Sequence, residues 1–161
     1  GNFKIGDSLT GGEKIQFKGI PSFSPEHFRY INNNDPMKAK QLAKGIEQLM
    51  DEGVAQLFTL NLNGRKIIGT VGALQFEVIQ YRLLHEYSAK CSFENLNVHK
   101  ACWVEGDTKS ESFKEFSRIK QKFLAYDKSN HLVFLADSAF SLQMTKDKYA
   151  DLKFHYTSEF K

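Results

Sequence analysis

Between Arg65 and Tyr87 an apolar run, Ile67, Ile68, Thr70 and Val71, passes through Gly72 straight into a helical pattern that opens Ala73-Leu74-Gln75-Phe76-Glu77-Val78. A strand that feeds a helix this abruptly ties a sheet layer to a helix layer, so the chain has to build a layered α and β structure. Gly69-x-x-Gly72 at the junction has the outline of a phosphate cradle without its parts. A P-loop places four residues between its glycines and follows them with Lys-Ser/Thr, and a dinucleotide fingerprint needs a third glycine where Gln75 or Phe76 stands. The turn is therefore packing geometry, and function is expected in what the folded surface binds.

The 161 residues and 41% hydrophobic content suit one domain of ordinary size, or one domain with a fragment of another, around a real core. Fourteen Phe, six Tyr and one Trp mean that this core is built largely on rings. No apolar run approaches the ~20 residues of a membrane span, and no signal-like apolar core opens the chain, so a cytoplasmic location is expected. A net charge of +3 permits an anionic partner such as RNA without demanding one, because clustered charge decides such binding. Cys91 and Cys102 have neither metal-pair nor C-x-x-C spacing and are expected to be buried thiols. The first residue is Gly1 rather than Met, as expected of a cut from a longer polypeptide or of a tag scar.

Along the chain, Phe3-Lys4-Ile5 and Lys14-Ile15-Gln16-Phe17 are strand-like pieces separated by the turn formers Gly6-Asp7 and Gly11-Gly12. Residues 1–20 are expected to be the tail of a preceding β domain, and Pro21 and Pro25 mark the connection to a second domain over residues 21–161. There, Phe28–Ile31 starts a strand, and Asp35 caps a helix with Pro36 at its first position. Leu42, Ala43, Ile46, Leu49 and Met50 recur at helical spacing, and Gly53 supplies the stop. Ala55–Asn61 and Lys66–Val71 flank Asn63-Gly64, a hairpin signal because both residues tolerate positive φ. A second helix to about Glu86 and a strand over Ala89–Asn95 complete the order βαββαβ. The expected class is α+β, a ferredoxin-like plait with an additional C-terminal α/β segment, preceded by a short β-barrel remnant.

In the second helix Phe76, Ile79, Leu83 and Tyr87 form one apolar row, and Leu74, Val78, Tyr81 and Leu84 widen it. The rest of the chain is expected to cover that second row. It would use a strand at Ala101–Glu105, a helix from Ser110 to Leu124, a strand at Leu132–Ala136, a short helix near Thr145–Tyr149 and a last strand around Phe154–Tyr156. No sequence repeat is evident.

Gly6-Asp7-Ser8-Leu9-Thr10, the block Gly19-Ile20-Pro21-Ser22-Phe23-Ser24-Pro25-Glu26, the helix from Asp35-Pro36 and the block Gly69–Val78 together resemble the C-terminal portion of the bacterial class II peptide-chain release factor, release factor three. Tyr81-Arg82-Leu83, Glu86-Tyr87, Asn97-Val98, Trp103-Val104-Glu105 and Asp147-Lys148-Tyr149 continue the resemblance across essentially the whole chain. The resemblance implies the end of a barrel second domain followed by a third domain of a translational GTPase. Such a factor promotes departure of class I release factors after peptide release. The GTP-binding domain, with GTP and magnesium, would lie upstream, so no catalytic, cofactor or metal residue is carried over. The piece would supply contacts to rRNA and small-subunit proteins and relay domain motion.

Candidate contacts are basic helix faces. Lys114, Arg118 and Lys122 recur at i, i+4, i+8 opposite Phe113, Phe116, Ile119 and Phe123, while Glu111 and Glu115 stand close enough to neutralise them. Lys38, Lys40 and Lys44 form a weaker set, followed by Glu47 and Asp51. The competing reading is a stand-alone RNA-binding or regulatory plait. Base stacking on the sheet would need aromatics where Ile67, Ile68, Thr70 and Val71 stand. A third reading is a GDSL-type esterase, from Gly6-Asp7-Ser8-Leu9 with Asp151 and His155, opposed by the four-residue acid–base spacing and the missing parallel βαβ units. The five histidines lack metal-ligand spacing.

Overall fold

The computed structural model describes residues 23–156. The strand-like pieces before Pro21, the expected barrel remnant and the Gly6–Leu9 block lie outside the described residues. The elements run β1 (His27–Asn33), α1 (Ala39–Asp51), β2 (Gln56–Leu60), β3 (Lys66–Thr70), α2 (Gln75–Tyr87), β4 (Cys91–Asn95), β5 (Lys100–Glu105), α3 (Glu111–Ile119), β6 (Leu124–Asp127), β7 (Leu132–Ala136), α4 (Ala139–Lys148) and β8 (Lys153–His155). All eight strands form one antiparallel sheet in the order β4-β1-β3-β2-β6-β7-β5-β8. The structure is mixed α and β, as the composition and periodicity require.

Local chemistry explains the element ends. The Asp35 carboxylate accepts from the Met37 amide, and Pro36 starts a 3-10 turn that runs into α1. Gly53, at φ 78°, ends that helix. The β2–β3 connection differs from a two-residue hairpin. Only Gly64 takes positive φ, at 75°, and the turn is closed by Gly64 N donating to Leu60 O and Leu60 N donating to Arg65 O. Ser110 and Ser138 cap α3 and α4 through their hydroxyls.

The second half departs from the sequence reading in three places. The helix expected over Ser110–Leu124 stops at Ile119, passes through a 3-10 turn at Gln121–Phe123, and delivers Leu124–Asp127 as an additional strand. Phenylalanine-rich helical periodicity had masked that short strand. The late helix is longer than expected, Ala139–Lys148. Finally, the chain carries a structural repeat that its sequence hides: β5-α3-β6-β7-α4-β8 follows the same order of element types as β1-α1-β2-β3-α2-β4. The registers coincide as well. His27–Tyr30 pairs with Thr70–Ile67 in the first half, and Lys100–Trp103 pairs with Ala136–Val133 in the second. At the β2–β6 seam, Thr59 faces Tyr126, flanked by Phe58 opposite Asp127 and Leu60 opposite Ala125. A rotation that exchanges the halves leaves the Thr59–Tyr126 pair in place and swaps the other two.

Three cores follow from this arrangement. Leu42, Ile46 and Leu49 of α1 and Phe76, Ile79 and Leu83 of α2 pack on one face of the first half. Phe116 of α3 and Leu142 of α4 do the same in the second half with Cys102, Phe134 and Leu152. The third core contains no helix residue: Phe28, Phe58, Leu60, Ile67, Ala101, Trp103, Ala125, Val133 and Leu135 come from six strands. Phe58 and Trp103 sit on strands three spacings apart, about 14 Å in a flat sheet. Their rings lie 5.8 Å apart, so the sheet curls around this core. Ala125 and Val133 belong to the same cluster, and Leu96 and Val98 of the β4–β5 connection pack against it. Trp103 Nε1 also donates to the Asp127 carboxylate at 2.9 Å, joining β5 to the end of β6.

Two expectations about helix faces are corrected. Among the described residues nothing covers the second row of α2: Leu74 is 73% exposed and Tyr81 64%. The C-terminal half joins the sheet edge at β2 instead of lying over α2, which leaves the row outward. Ile119, expected inward, is exposed at the end of α3, where the helix has already stopped.

α1 and α2 approach closely at Gly45, where an added Cβ would stand 2.6 Å from Leu83 Cδ2 and 2.8 Å from Tyr87 Cδ2. Ordinarily Gly→Ala inside a helix stabilises by about 0.5–1 kcal/mol, whereas overpacking costs about 1–3 kcal/mol. Gly45→Ala is therefore expected to lower the urea midpoint, and a raised midpoint would contradict the close approach. Burial pushes the Cys91 thiol up to about 11 and the Cys102 thiol up to about 12. Because the thiolate is the reactive form, an aromatic disulfide reagent at pH 7.5 is expected to label neither cysteine in the folded chain and both in urea. Rapid labelling of the folded chain would contradict that burial.

Candidate nucleic-acid interface

The groups able to carry chemistry are occupied in structural roles. Gly72 N donates to Gln75 Oε1, so the first amide of the junction is already capped by a side chain. Gly69 lacks a Cβ where Phe58, Pro25 and Phe28 close in. His155 lies 2.8 Å from Glu105, and His131 lies 3.1 Å from Asp127, the carboxylate that also accepts from Trp103. His155 thus meets an acid on β5, and Asp151 is exposed after α4. No group of three His, Cys, Asp or Glu side chains suited to a metal occurs among the described residues. None of the helices among the described residues is long and apolar enough to cross a membrane.

The cations are arranged differently. Lys40 and Lys44 stand exposed on α1, and Lys114 and Arg118 stand exposed on α3. Lys122 is exposed in the 3-10 turn after α3, so the row of three expected on one helix is broken at Lys120. Lys38 is half-buried in the turn before α1. Within α3 the expected pairing is electrostatic only: beside the larger effect of Lys148, Arg118 helps to lower the Glu115 pKa without forming an ion pair with it. The Glu115 carboxylate turns to α4, accepting from Lys148 Nζ at 3.3 Å and Tyr149 Oη at 3.1 Å. These contacts hold its carboxyl below the usual range, with Lys148 the largest cause. Among the described residues no ion pair involves Lys40, Lys44, Lys114, Arg118 or Lys122.

Aligning buried Leu42 of α1 with buried Phe116 of α3 places Lys40 on Lys114 and Lys44 on Arg118. The two candidate sets, taken separately in the sequence, thus lie on corresponding helices of the structural repeat. Periodicity within each helix pointed to the cations, but the correspondence of the two helices needed the element order that includes β6.

Two open cavities lie beside the seam. One, about 470 Å³, is lined by Ala39 and Ala43 of α1, Thr59 of β2, Lys66 of β3 and Lys128 and Asn130 of the β6–β7 turn. The other, about 420 Å³, is lined by Phe113 and Ser117 of α3, Tyr126 of β6, Asn61 and again Asn130. Lys66 Nζ donates to Thr59 Oγ1, and Lys128 pairs with Asp51. These features escaped sequence reasoning because β6 was not foreseen. The repeat also leaves Phe140 and Met144 of α4 exposed where Leu74 and Val78 are exposed on α2.

Residues 17–146 match the model of a protein family described as class II release factor RF3, C-terminal domain. That span takes in all of the elements through most of α4. A release-factor domain works in translation termination and associates with the ribosome, which gives an exposed set of cations an appropriate polyanionic partner. From this match, the chain belongs to the family of class II release factor C-terminal domains.

Proposed function

We propose that this chain is the non-catalytic C-terminal part of a translation-termination GTPase, contacting the ribosome and relaying nucleotide-driven domain motion that helps class I release factors depart. The family match over residues 17–146 is the observation that carries this reading. GTP and magnesium belong to an upstream domain. The described residues 23–156 belong to the release-factor domain on this reading. Each half of that domain is a ferredoxin-like plait, a reading supported by the strand orders β4-β1-β3-β2 and β8-β5-β7-β6 and by helices packed on one face of each.

The contact residues are Lys40 and Lys44 on α1 and Lys114 and Arg118 on α3, with Lys38 and Lys122 at the helix ends. Clustered cations without carboxylate partners can neutralise rRNA phosphates, whereas a +3 average charge alone could not direct the chain to one surface. A relay also needs a body that moves as a unit, and one continuous sheet running through both halves meets that need.

The test is a salt series of binding to purified small ribosomal subunits and to unrelated RNA of matched length. At physiological salt, binding to subunits is expected to be at least about tenfold tighter, with log K falling linearly against log salt for both. GTP turnover is expected to stay at the level of a protein-free control. Equal affinity for any RNA would instead make the chain a nonspecific basic module, and GTP turnover by the chain alone would break the division of labour.

A further inference from the structure

We propose that the seam between the two halves is a single RNA-strand site, with α1 and α3 as its two basic walls. This rests on the ribosome-binding reading above and locates the contact more narrowly than that reading does. On the helix side of the sheet, α1 pairs with α2 and α3 pairs with α4, each pair over its own core. The sheet curls toward its opposite face, around Phe58 and Trp103. Curling away from the helices spreads the two helical layers apart above the strand pair at the bend. The strands at the bend are β2 and β6, and the two open cavities lie there, sharing Asn130.

The walls of this trough have the same construction. Ala39 and Ala43 line the first cavity, and the residue after each is Lys40 or Lys44. Phe113 and Ser117 line the second, and the residue after each is Lys114 or Arg118. One residue turns a helix by 100°. Each cation therefore stands on the rim, one step outward from a side chain that forms the wall. The floor between the walls offers Thr59, Asn61, Tyr126 and Asn130, which can hydrogen-bond to sugar and phosphate oxygens. Glu47 lies on the first rim, but Asp127 is held by Trp103 and His131, and Asp51 by Lys128. Cations on both sides of a groove whose lining sets these polar groups among Met50, Leu57, Leu124 and Leu132 match a phosphate backbone running along it, whereas an uncharged partner would leave them unpaired.

The experiment compares variants of the chain carrying K40E/K44E, K114E/R118E or all four changes, with K90E/K153E as an equal charge change at exposed positions away from the seam. Binding to small ribosomal subunits, and to their rRNA freed of protein, is followed across salt. Each single-strand phosphate contact contributes about 0.7 to the salt slope. Either wall pair is expected to lower the slope by about 1.4 and all four by about 2.8, on both targets, while the control changes it by less than about 0.5. If the control matches the wall variants, or only one wall matters, the single site is overturned while ribosome binding stands. Binding to subunits but not to protein-free rRNA would put a protein in the trough and also overturn it. Absence of binding by the unaltered chain would overturn both the site and the reading beneath it.

Discussion

The antiparallel pairing of β2 with β6, closed from behind by Phe58 against Trp103, is the constraint on which the rest of the molecule depends. Without it each half would present a bare strand edge and an uncovered sheet face, both unfavourable in water. Pairing the edges satisfies the backbone groups, and curling the sheet buries the two uncovered faces against each other. Both Phe58 and Trp103 end with no solvent exposure. The indole N–H is not sacrificed in this burial, because Asp127 at the end of the seam strand accepts it.

That one closure also determines what faces outward. Curling toward the ring core fixes the helices on the outside in two pairs, and the seam lies between α1 and α3. The cations of those two helices then belong to one surface instead of two. Glu115 takes part at a distance. By binding Lys148 and Tyr149 it fastens α3 to α4, so Lys114 and Arg118 form no ion pair with it and Arg118 acts on it only through space. Exposed ion pairs contribute little stability, so the consequence of this choice lies in the charge left on the surface.

Much of the first half was legible in the sequence. Its apolar rows, the Asp35-Pro36 start and the Gly53 stop each have a single local meaning, and the structure has α1 and α2 where those signals place them. The second half was less legible for identifiable reasons. Leu124–Asp127 is only four residues long and follows a phenylalanine-rich helix without a strong breaker, so its strand character comes from pairing with β2 and β7. The repeat was invisible because equivalent positions carry different chemistry: Thr59 answers to Tyr126 and Leu42 to Phe116. The candidate cations could be named from helical spacing, but the groove between them could not, since it is formed by a strand pairing of long sequence separation. The exposed row of α2 was misread for a related reason. An apolar stripe tells that something can cover it, not that the same chain does.

Trp103 is the only tryptophan, lies in the second half and packs on Phe58 of the first, so its fluorescence reports directly on the closure. The decisive measurement is equilibrium urea unfolding of the chain followed by Trp103 emission and by far-ultraviolet circular dichroism on the same samples. Coincident single transitions are predicted, because neither half retains its fold once the seam opens. A Trp103 transition at lower urea than the loss of secondary structure would mean that the halves stand independently, and it would contradict the central place given to the seam.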